Sequence, residues 1–317
     1  MRNLLKCSAV LLISFSLFAQ NAAKKHAAAP SDSANAKTAE GGVSKELAEA
    51  YFQRMFGYEP GISVKVVNIQ PSPIASLTEV TAIFTTPEGQ QGGKWYVSQD
   101  LQHVIFGEML PFGADPFEAE RAKLASSVFG PAKGLADARM LIVEFADLEC
   151  PACREAASVM EKLRSDFPQA RFVFQSFPLP QHPWAAKAAS YLDCIGRANP
   201  DQAFAFIDAA FTHQKEMEDA VRKTDAEGKT TIDDAVVTER LRQYTTTAGA
   251  DPVKIQACAE TPETGERVLR SQLLAKAVGV NQTPTLFLNG RRVSNFSASQ
   301  YDALKAVVSY EAEQAGK

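Results

Sequence analysis

The most regular pattern of hydrophobic and polar positions begins with an apolar run from Met140 to Ala146. The run is short and rich enough in β-branched residues to predict a strand buried on both faces, as in a sheet covered by helices. Residues Arg171 to Phe177 predict a second strand, parallel to the first. Between the strands, apolar residues recur at helical steps of three and four positions, at Ala156, Val159, Met160, Leu163 and Phe167.

The C-terminal part of the chain combines helical patterns with one hairpin. Thr283-Pro284 leads into two short strands joined by an Asn289-Gly290 turn, and an amphipathic helix follows from Tyr301. Before them, helical spacing recurs between residues 183 and 278, in the segments Trp184–Ile195, Asp201–His213, Ile232–Tyr244, Pro252–Ala259 and Glu263–Val278. Residues 134–317 are therefore predicted to form one α/β domain with a helical insertion.

Upstream, the pattern predicts a small α+β domain over residues 44–112. Ser44 is the predicted N-cap of a helix with one apolar face, formed by Leu47, Ala48, Tyr51, Phe52, Met55 and Phe56. Four short strands follow, with a glycine-rich turn at residues 88–93; they are Val64–Ile69, Glu79–Phe84, Trp95–Ser98 and His103–Phe106. A domain this small is expected to have a sheet face or edge covered by a second copy. Residues 113–133 are predicted to be a linker, with a helix from Asp115 to Val128.

The first 43 residues have the composition of a processing segment. Residues 1–22 combine a basic start, an apolar stretch from Ser8 to Phe18 and alanines suited to cleavage, which predicts a secretory signal. At about a dozen residues, the apolar stretch is too short to span a bilayer. Residues 23–43, mostly Ala, Ser and Lys, are predicted to be a flexible tether. The mature protein is thus expected in the periplasm, without a membrane span.

Composition narrows the function classes. The 317 residues are 45% apolar and 22% charged, with a net charge of −4. These values fit one large or two ordinary globular domains and lack the basic excess of a nucleic-acid-binding protein. The four histidines, at positions 26, 103, 182 and 213, are dispersed and none is assigned a role. His182, which precedes Pro183, is interpreted as structural.

The candidate chemistry lies in Cys150-Pro151-Ala152-Cys153, directly after the buried strand. Pro151 suits the first turn of a helix, so Cys150 is the predicted N-cap. There the free backbone N–H groups and the helix dipole favour an anionic sulfur. A thiolate attacks a disulfide, and Cys153, one turn on, can resolve the mixed disulfide. This chemistry needs no cofactor and no metal.

Two other roles of a CxxC motif, zinc binding and haem attachment, require residues that this sequence lacks. A zinc site needs four ligands, usually including a second close pair, and the other cysteines are single and far apart. Haem attachment requires a histidine at position 154, which is arginine. Cys7 is expected to leave with the signal, so Cys194 and Cys258 remain. In an oxidising compartment they are predicted to form a structural disulfide; the alternative is two buried free thiols.

Two segments in the first half of the ordered chain carry a resemblance to a known family. VNIQPSPIASLTEV and KWYVSQDLQHVIFGEML resemble the N-terminal dimerisation domain of the bacterial periplasmic disulfide isomerases DsbC and DsbG. The resemblance implies a cystatin-like sheet that joins two protomers into a V, and hence a homodimer through residues 44–112. It also implies that the linker helix connects the dimer base to the catalytic arm.

A second resemblance begins at residue 130. GPAKGLADARMLIVEFADLECPAC resembles the DsbA-like branch of the thioredoxin superfamily, and the likeness continues to the C-terminus. It implies a thioredoxin-like fold with a helical insertion over about 183–278. It also implies a cis peptide bond at Pro284, with Thr283 and Pro284 positioned to bind a client peptide strand. Finally, it implies that Glu144, a buried acid beneath the cysteine pair, relays protons.

These observations predict a protein disulfide oxidoreductase of exported clients. Asp147 and Glu149 next to Cys150 are expected to raise the pKa of its thiol, and Ala152 cannot stabilise the thiolate as the histidine of DsbA does. A less stable thiolate makes a weaker oxidant, which favours a dimeric isomerase or reductase supplied by a membrane reductant. The alternatives are a DsbA-like oxidase served by a quinone-linked oxidant, and a chaperone-like module that binds unfolded clients.

Overall fold

The computed structural model describes residues 42–316, except 59–60, 87–88, 108, 111, 113–114, 225–229 and 295. The predicted signal (1–22) and nearly all of the predicted tether (23–43) lie outside the described residues. Among the described residues, no helix combines the length and the apolar character needed to cross a bilayer.

The first described elements are one helix and an antiparallel sheet. Helix α1 (Lys45–Phe56) begins at Ser44, whose side chain accepts a hydrogen bond from the backbone N–H of Leu47. Four strands follow in the spatial order β1-β2-β3-β4: β1 (Ser63–Pro71), β2 (Leu77–Thr86), β3 (Gly89–Ser98) and β4 (Val104–Phe106). Phe52 of α1 packs against Trp95 of β3, with 4.8 Å between ring centroids. This α+β unit agrees with the predicted fold class.

Two predictions for this unit were wrong in detail. The predicted turn at residues 88–93 is largely strand, because Gly89 to Gly93 pair with β2. A side chain at Gly93 would meet the Trp95 indole, since a Cβ there would lie 2.2 Å from it. The glycine therefore makes room for Trp95. The predicted single apolar face of α1 is also divided, because Leu47, Tyr51 and Met55 are exposed while Ala48 and Phe52 are buried.

The larger sheet has five strands in the order β11-β10-β6-β7-β5. They are β5 (Ala132–Lys133), β6 (Leu141–Ala146), β7 (Arg171–Ser176), β10 (Thr285–Leu288) and β11 (Arg291–Ser294). Strands β6 and β7 are parallel, as predicted, and the other pairs are antiparallel. Asn289 and Gly290 form the β10–β11 turn with φ of 49° and 93°, the left-handed values that favour Asn-Gly in such turns.

Helices cover both faces of this sheet, which explains why β6 is apolar along its length. On one face, α3 (Pro151–Asp166) and α10 (Tyr301–Ala315) pack against Ile142 of β6. On the other, α2 (Glu118–Ser127) and α9 (Pro262–Ala277) pack against Val143 and Phe145. Helix α2 begins three residues later than predicted, because Asp115 accepts a hydrogen bond from the backbone N–H of Phe117 in a turn that precedes it.

The insertion contains more elements than its helical spacing predicted. Its helices before α9 are α4 (Ala185–Ala198), α5 (Pro200–Thr212), α6 (Gln214–Val221), α7 (Asp234–Thr247) and α8 (Pro252–Ala259). Helix α6 and the hairpin of β8 (Arg222–Thr224) and β9 (Thr230–Ile232) were not predicted. Ile232 was assigned to a helix but ends β9, because Asp233 caps α7. Cys194 of α4 and Cys258 of α8 form a disulfide, with 6.1 Å between their Cα atoms.

Candidate active site

The centre of the site is Cys150, the N-cap residue of α3. Its carbonyl accepts hydrogen bonds from the backbone N–H groups of Cys153 and Arg154, at 3.1 and 3.2 Å, so the helix starts at the cysteine. Pro151 occupies the first helical position, where its missing N–H costs no hydrogen bond. Cys150 and Cys153 are both free thiols and both buried, with 7% and 0% of their surface exposed. Of the two cysteines, only Cys150 keeps any exposed surface.

The surroundings of the two thiols separate their pKa values. The largest influence on the pKa of Cys150 is a hydrogen bond from the Cys153 side chain, which lowers it. Hydrogen bonds from the Thr283 side chain and from the N–H groups of Cys153 and Ala152 act in the same direction. Together they outweigh burial and lower the pKa of Cys150 to about 6. Burial and the neighbouring Cys150 raise the pKa of Cys153 well above its usual value. Cys150 therefore loses its proton at a lower pH than Cys153, and a thiolate is the reactive form of a cysteine.

Thr283 and Pro284 lie against this pair. The Thr283–Pro284 peptide bond is cis, and the Cys150 thiol donates to the carbonyl oxygen of Thr283 over 3.6 Å. Within the described residues, the Thr283 hydroxyl is buried and has no hydrogen-bond partner. A thiolate at Cys150 supplies an acceptor near that hydroxyl, which accounts for its part in lowering the pKa of Cys150.

Glu144 is buried on β6, with 5% of its surface exposed. Its Oε1 atom is among the buried side-chain atoms that have no hydrogen-bond partner in the described part of the chain. Burial raises the pKa of Glu144 to about 7, and its charge contributes to the raised pKa of Cys153. A carboxyl that titrates near neutral pH is suited to accept or donate a proton in a buried site.

The acidic neighbours of Cys150 do not act as the sequence predicted. Asp147 and Glu149 are buried, each with 2% of its surface exposed. The Asp147 carboxylate accepts hydrogen bonds from the N–H groups of Glu149 and Leu179, each at 2.8 Å. Glu149 accepts from the N–H of Trp184 at 2.7 Å, and burial raises its pKa to about 7. The pKa of Cys150 is lowered, as expected for a sulfur at a helix N-terminus, and the opposing effect expected of Asp147 and Glu149 is not among the influences that set it.

Two residues reach the site from distant parts of the sequence. His182 lies 2.7 Å through Nδ1 from Oδ2 of Asp147. Gln214, at the start of α6, donates through Nε2 to the carbonyl oxygens of Leu148 at 2.8 Å and of Cys150 at 3.1 Å. His182 was interpreted as structural, and Gln214 lies on a helix that was not predicted. In the sequence, a position shortly after the second parallel strand was the feature that could have placed His182 near the site. No feature of the sequence could have placed Gln214 there.

A cluster of side chains able to bind a metal ion is absent from the described residues. No group of three or more His, Cys, Asp or Glu side chains among them is arranged to hold a metal ion.

The disulfide partners Cys194 and Cys258 lie in the insertion, where Arg197 Nη2 is 3.0 Å from Cys258 Sγ.

Comparison with known proteins assigns the family. A family model described as Thioredoxin matches residues 126–309, which is more than half of the chain, and the chain therefore belongs to the thioredoxin family. Among curated proteins, the chain is similar to the Na(+)/H(+) antiporter NhaA of Herminiimonas arsenicoxydans, with 30% identity over 185 residues. That match covers 58% of this chain and 25% of the antiporter. NhaA 3 of Salinispora tropica is 28% identical over 177 residues, 56% of this chain and 24% of the relative. The chain spans about a quarter of the length of these relatives.

Several solved structures are also similar. Oxidised BdbD from Bacillus subtilis has a TM-score of 0.46 and 20% identity, covering 58% of this chain and 93% of that chain. The catalytic domain of Proteus mirabilis ScsC has a TM-score of 0.47 and 18% identity, covering 62% and 99%. A periplasmic thioredoxin-like protein from Salmonella enterica has a TM-score of 0.48 and 20% identity, covering 63% and 99%.

Proposed function

We propose that this chain is a thiol:disulfide oxidoreductase that rearranges or reduces disulfides of exported proteins. The observation that carries the oxidoreductase activity is a sulfur at a helix N-terminus, with the pKa of Cys150 lowered to about 6 and a second thiol one turn away. At neutral pH such a sulfur is mostly thiolate, and the thiolate is the species that attacks disulfides. The preference for rearrangement or reduction rests on the proposed dimer and not on this pKa.

The first step forms a mixed disulfide. The Cys150 thiolate attacks one sulfur of a client disulfide; a bond forms between the two sulfurs, the client S–S bond breaks, and the second client sulfur leaves as a thiolate. The client segment lies beside Thr283 and Pro284, whose position against Cys150 leaves the Thr283 backbone available for strand-like pairing.

Two routes lead out of the mixed disulfide. In isomerisation, the freed client thiolate attacks another client disulfide, and a later client thiolate displaces Cys150, so no electrons are exchanged overall. In reduction, Cys153 gives its proton to the Glu144 carboxylate and attacks Cys150 Sγ. The Cys150–Cys153 bond forms as the bond between Cys150 and the client breaks, and the client sulfur leaves as a thiolate, so both client sulfurs are reduced. The oxidised enzyme then requires a membrane-bound reductant, which we propose as its partner.

A second candidate direction is disulfide donation. Its support is the lowered pKa of Cys150, because a stabilised thiolate favours the reduced enzyme and makes its disulfide more oxidising. In that role the partner is a quinone-linked oxidant.

We further propose that the protein is periplasmic and acts as a homodimer through residues 44–112. The support is the apolar stripe of α1, where Leu47, Tyr51 and Met55 are 51%, 44% and 39% exposed, next to a sheet whose β1 is an edge strand. Leu47→Lys with Tyr51→Lys should convert a dimer to a monomer in sedimentation velocity. A wild-type monomer would refute this part of the proposal.

The test of the activity is a pair of client assays. A catalytic amount of an isomerase restores activity to scrambled ribonuclease. An oxidase restores activity only when the ribonuclease is supplied in its reduced form. Cys150→Ala should abolish both activities. Cys153→Ala should keep the attack but accumulate the mixed disulfide. Full activity of Cys150→Ala/Cys153→Ala would refute the proposal in favour of a binding module.

A further inference from the structure

The disulfide of the insertion differs in exposure at its two ends. Cys194 of α4 is buried, with 3% of its surface exposed, whereas Cys258 of α8 is half-buried. A thiol that arrives from solvent therefore meets the sulfur of Cys258 first. Cys194 is then the sulfur that would leave if the S–S bond were attacked.

One guanidinium group contacts both sulfurs. Nη2 of Arg197 lies 3.0 Å from Cys258 Sγ and 3.5 Å from Cys194 Sγ. The Thr264 hydroxyl lies 3.5 Å from Cys194 Sγ, but it already donates to the carbonyl oxygen of Cys258 at 2.9 Å. A disulfide sulfur is a weak hydrogen-bond acceptor and a thiolate is a charged one. The bond from Arg197 therefore strengthens when the disulfide opens and one sulfur becomes a thiolate.

Two carboxylates orient this guanidinium. Nε of Arg197 is 3.2 Å from Oδ2 of Asp193, and Nη1 is 3.0 Å from Oε1 of Glu263, which leaves Nη2 directed at the sulfurs. Asp193 is shared with Arg267, whose Nε lies 2.9 and 2.8 Å from its two oxygens. The side chain of Glu263 is 72% exposed, so water and salt screen its charge. The less exposed members of this cluster, two arginines and one aspartate, thus carry a net positive charge beside the disulfide.

We propose that the Cys194–Cys258 disulfide is a second thiol-exchange site, at which a low-molecular-weight thiol forms a mixed disulfide with Cys258. Arg197 contacts the sulfur that leaves and stabilises it as a thiolate. The site goes beyond the proposed function, because it needs neither a client protein nor the pair Cys150 and Cys153.

The exchange step needs one thiol and no other reactant. The thiol loses its proton to solvent and attacks Cys258 Sγ; a bond forms between these two sulfurs, the Cys194–Cys258 bond breaks, and Cys194 leaves as a thiolate. The attacking sulfur is oxidised to the disulfide level, and Cys194 is reduced. Attack by Cys194 on the mixed disulfide releases the thiol and restores the cross-link, so the modification is reversible.

The first experiment locates the modification in Cys150→Ala/Cys153→Ala, which lacks the active-site thiols. The folded protein is incubated with reduced glutathione without denaturant, free thiols are trapped with N-ethylmaleimide, and peptides are analysed by mass spectrometry. We expect the glutathione adduct on Cys258 and maleimide on Cys194. An adduct on Cys194, or no adduct until denaturant is added, would overturn the proposal.

The second experiment tests the role of Arg197 by the rate of opening in the same background. Arg197→Gln should open about fivefold more slowly in glutathione, because the leaving thiolate loses a charge-assisted hydrogen bond of which the transition state holds part. A purely structural arginine predicts the opposite sign, since its loss would loosen α4 and α8 and expose the disulfide. Equal or faster opening in a folded Arg197→Gln would therefore refute the proposal.

Arg267→Gln is the matched control. Arg267 belongs to the same cluster, but its described contacts go to Asp193 and to the ring of Phe129, so this variant should open no more slowly than its parent. Should Arg197→Gln not fold, the position of the glutathione adduct decides alone. A failure of the proposed function would appear separately, as an inert Cys150 in the wild type while Cys258 still reacts.

Discussion

Glu144 offers a sharp test of how the sheet supports the cysteine pair. Its side chain is buried, and Oε1 has no hydrogen-bond partner among the described residues, so ionisation in the folded state is costly. Glu144→Gln keeps the shape of the side chain and removes its titration. We expect the variant to be more stable than the wild type at alkaline pH, with the difference disappearing in acid.

The magnitude follows from the pKa of Glu144. Burial raises it from 4.5 to about 7, a difference of roughly 2.5 units, equivalent to about 3 kcal/mol at 1.36 kcal/mol per unit. Below pH 4.5 the acid is protonated in both states, so the wild type bears no cost. Between pH 4.5 and about 7 only the unfolded state loses its proton, and stability falls as pH rises. Above that range the cost is constant.

The assay is urea denaturation of the reduced proteins at pH 4.5, 6 and 8. The fluorescence of Trp184, in a Trp95→Phe background, reports on the domain that contains Glu144. The stability difference between Glu144→Gln and wild type should grow by about 3 kcal/mol from the lowest to the highest pH. Glu155→Gln, which alters an exposed acid on α3, should show no such growth. A difference that is independent of pH would refute the reasoning.

Two other predictions concern the insertion. Replacing both disulfide partners, Cys194→Ala with Cys258→Ala, removes a cross-link across 64 positions and should lower the free energy of unfolding by about 4 kcal/mol on the chain-entropy model. Urea denaturation measures this, and alkylation of Cys150 at pH 7 should stay unchanged. Gln214→Leu removes the side-chain donor to the carbonyls of Leu148 and Cys150, of which the second still accepts from α3, and should cost about 2 kcal/mol. Hydrogen exchange at the amides of Cys153 and Arg154 should become faster, and unaltered exchange would contradict the positioning role.

Features that depend on residues adjacent in the chain were predictable from the sequence, whereas features that depend on distant contacts were not. Three of the predictable features are strand β6, the start of α3 at Pro151 and the Asn289-Gly290 turn. The α/β arrangement followed from these elements, and the thioredoxin-like fold followed from the resemblance of residues 130–153. Cys150 and Cys153 were found for the same reason, since a buried strand running into CxxC and a helix is a local pattern.

The remaining features depend on contacts that no local pattern encodes. Gln214 lies 64 positions from Cys150 and His182 lies 35 from Asp147, so only the folded chain brings them together. The effect of Asp147 and Glu149 on the pKa of Cys150 was overestimated, because hydrogen bonds from Cys153, Thr283 and backbone N–H groups set that pKa. The glycine-rich segment was misassigned because glycine permits turns, whereas at Gly93 it accommodates the Trp95 ring.

The proposed activity requires Cys150 to be a thiolate at neutral pH, and the alkylation rate of Cys150 against pH measures this most directly. Reduced wild-type protein would be treated with iodoacetamide from pH 4 to pH 9, and modification of Cys150 followed by peptide mass spectrometry. We expect the alkylation rate of Cys150 to rise with a midpoint near pH 6, in line with a pKa of Cys150 of about 6, while Cys153 stays unmodified. A rate that rises only above pH 8, as for an ordinary thiol, would contradict it.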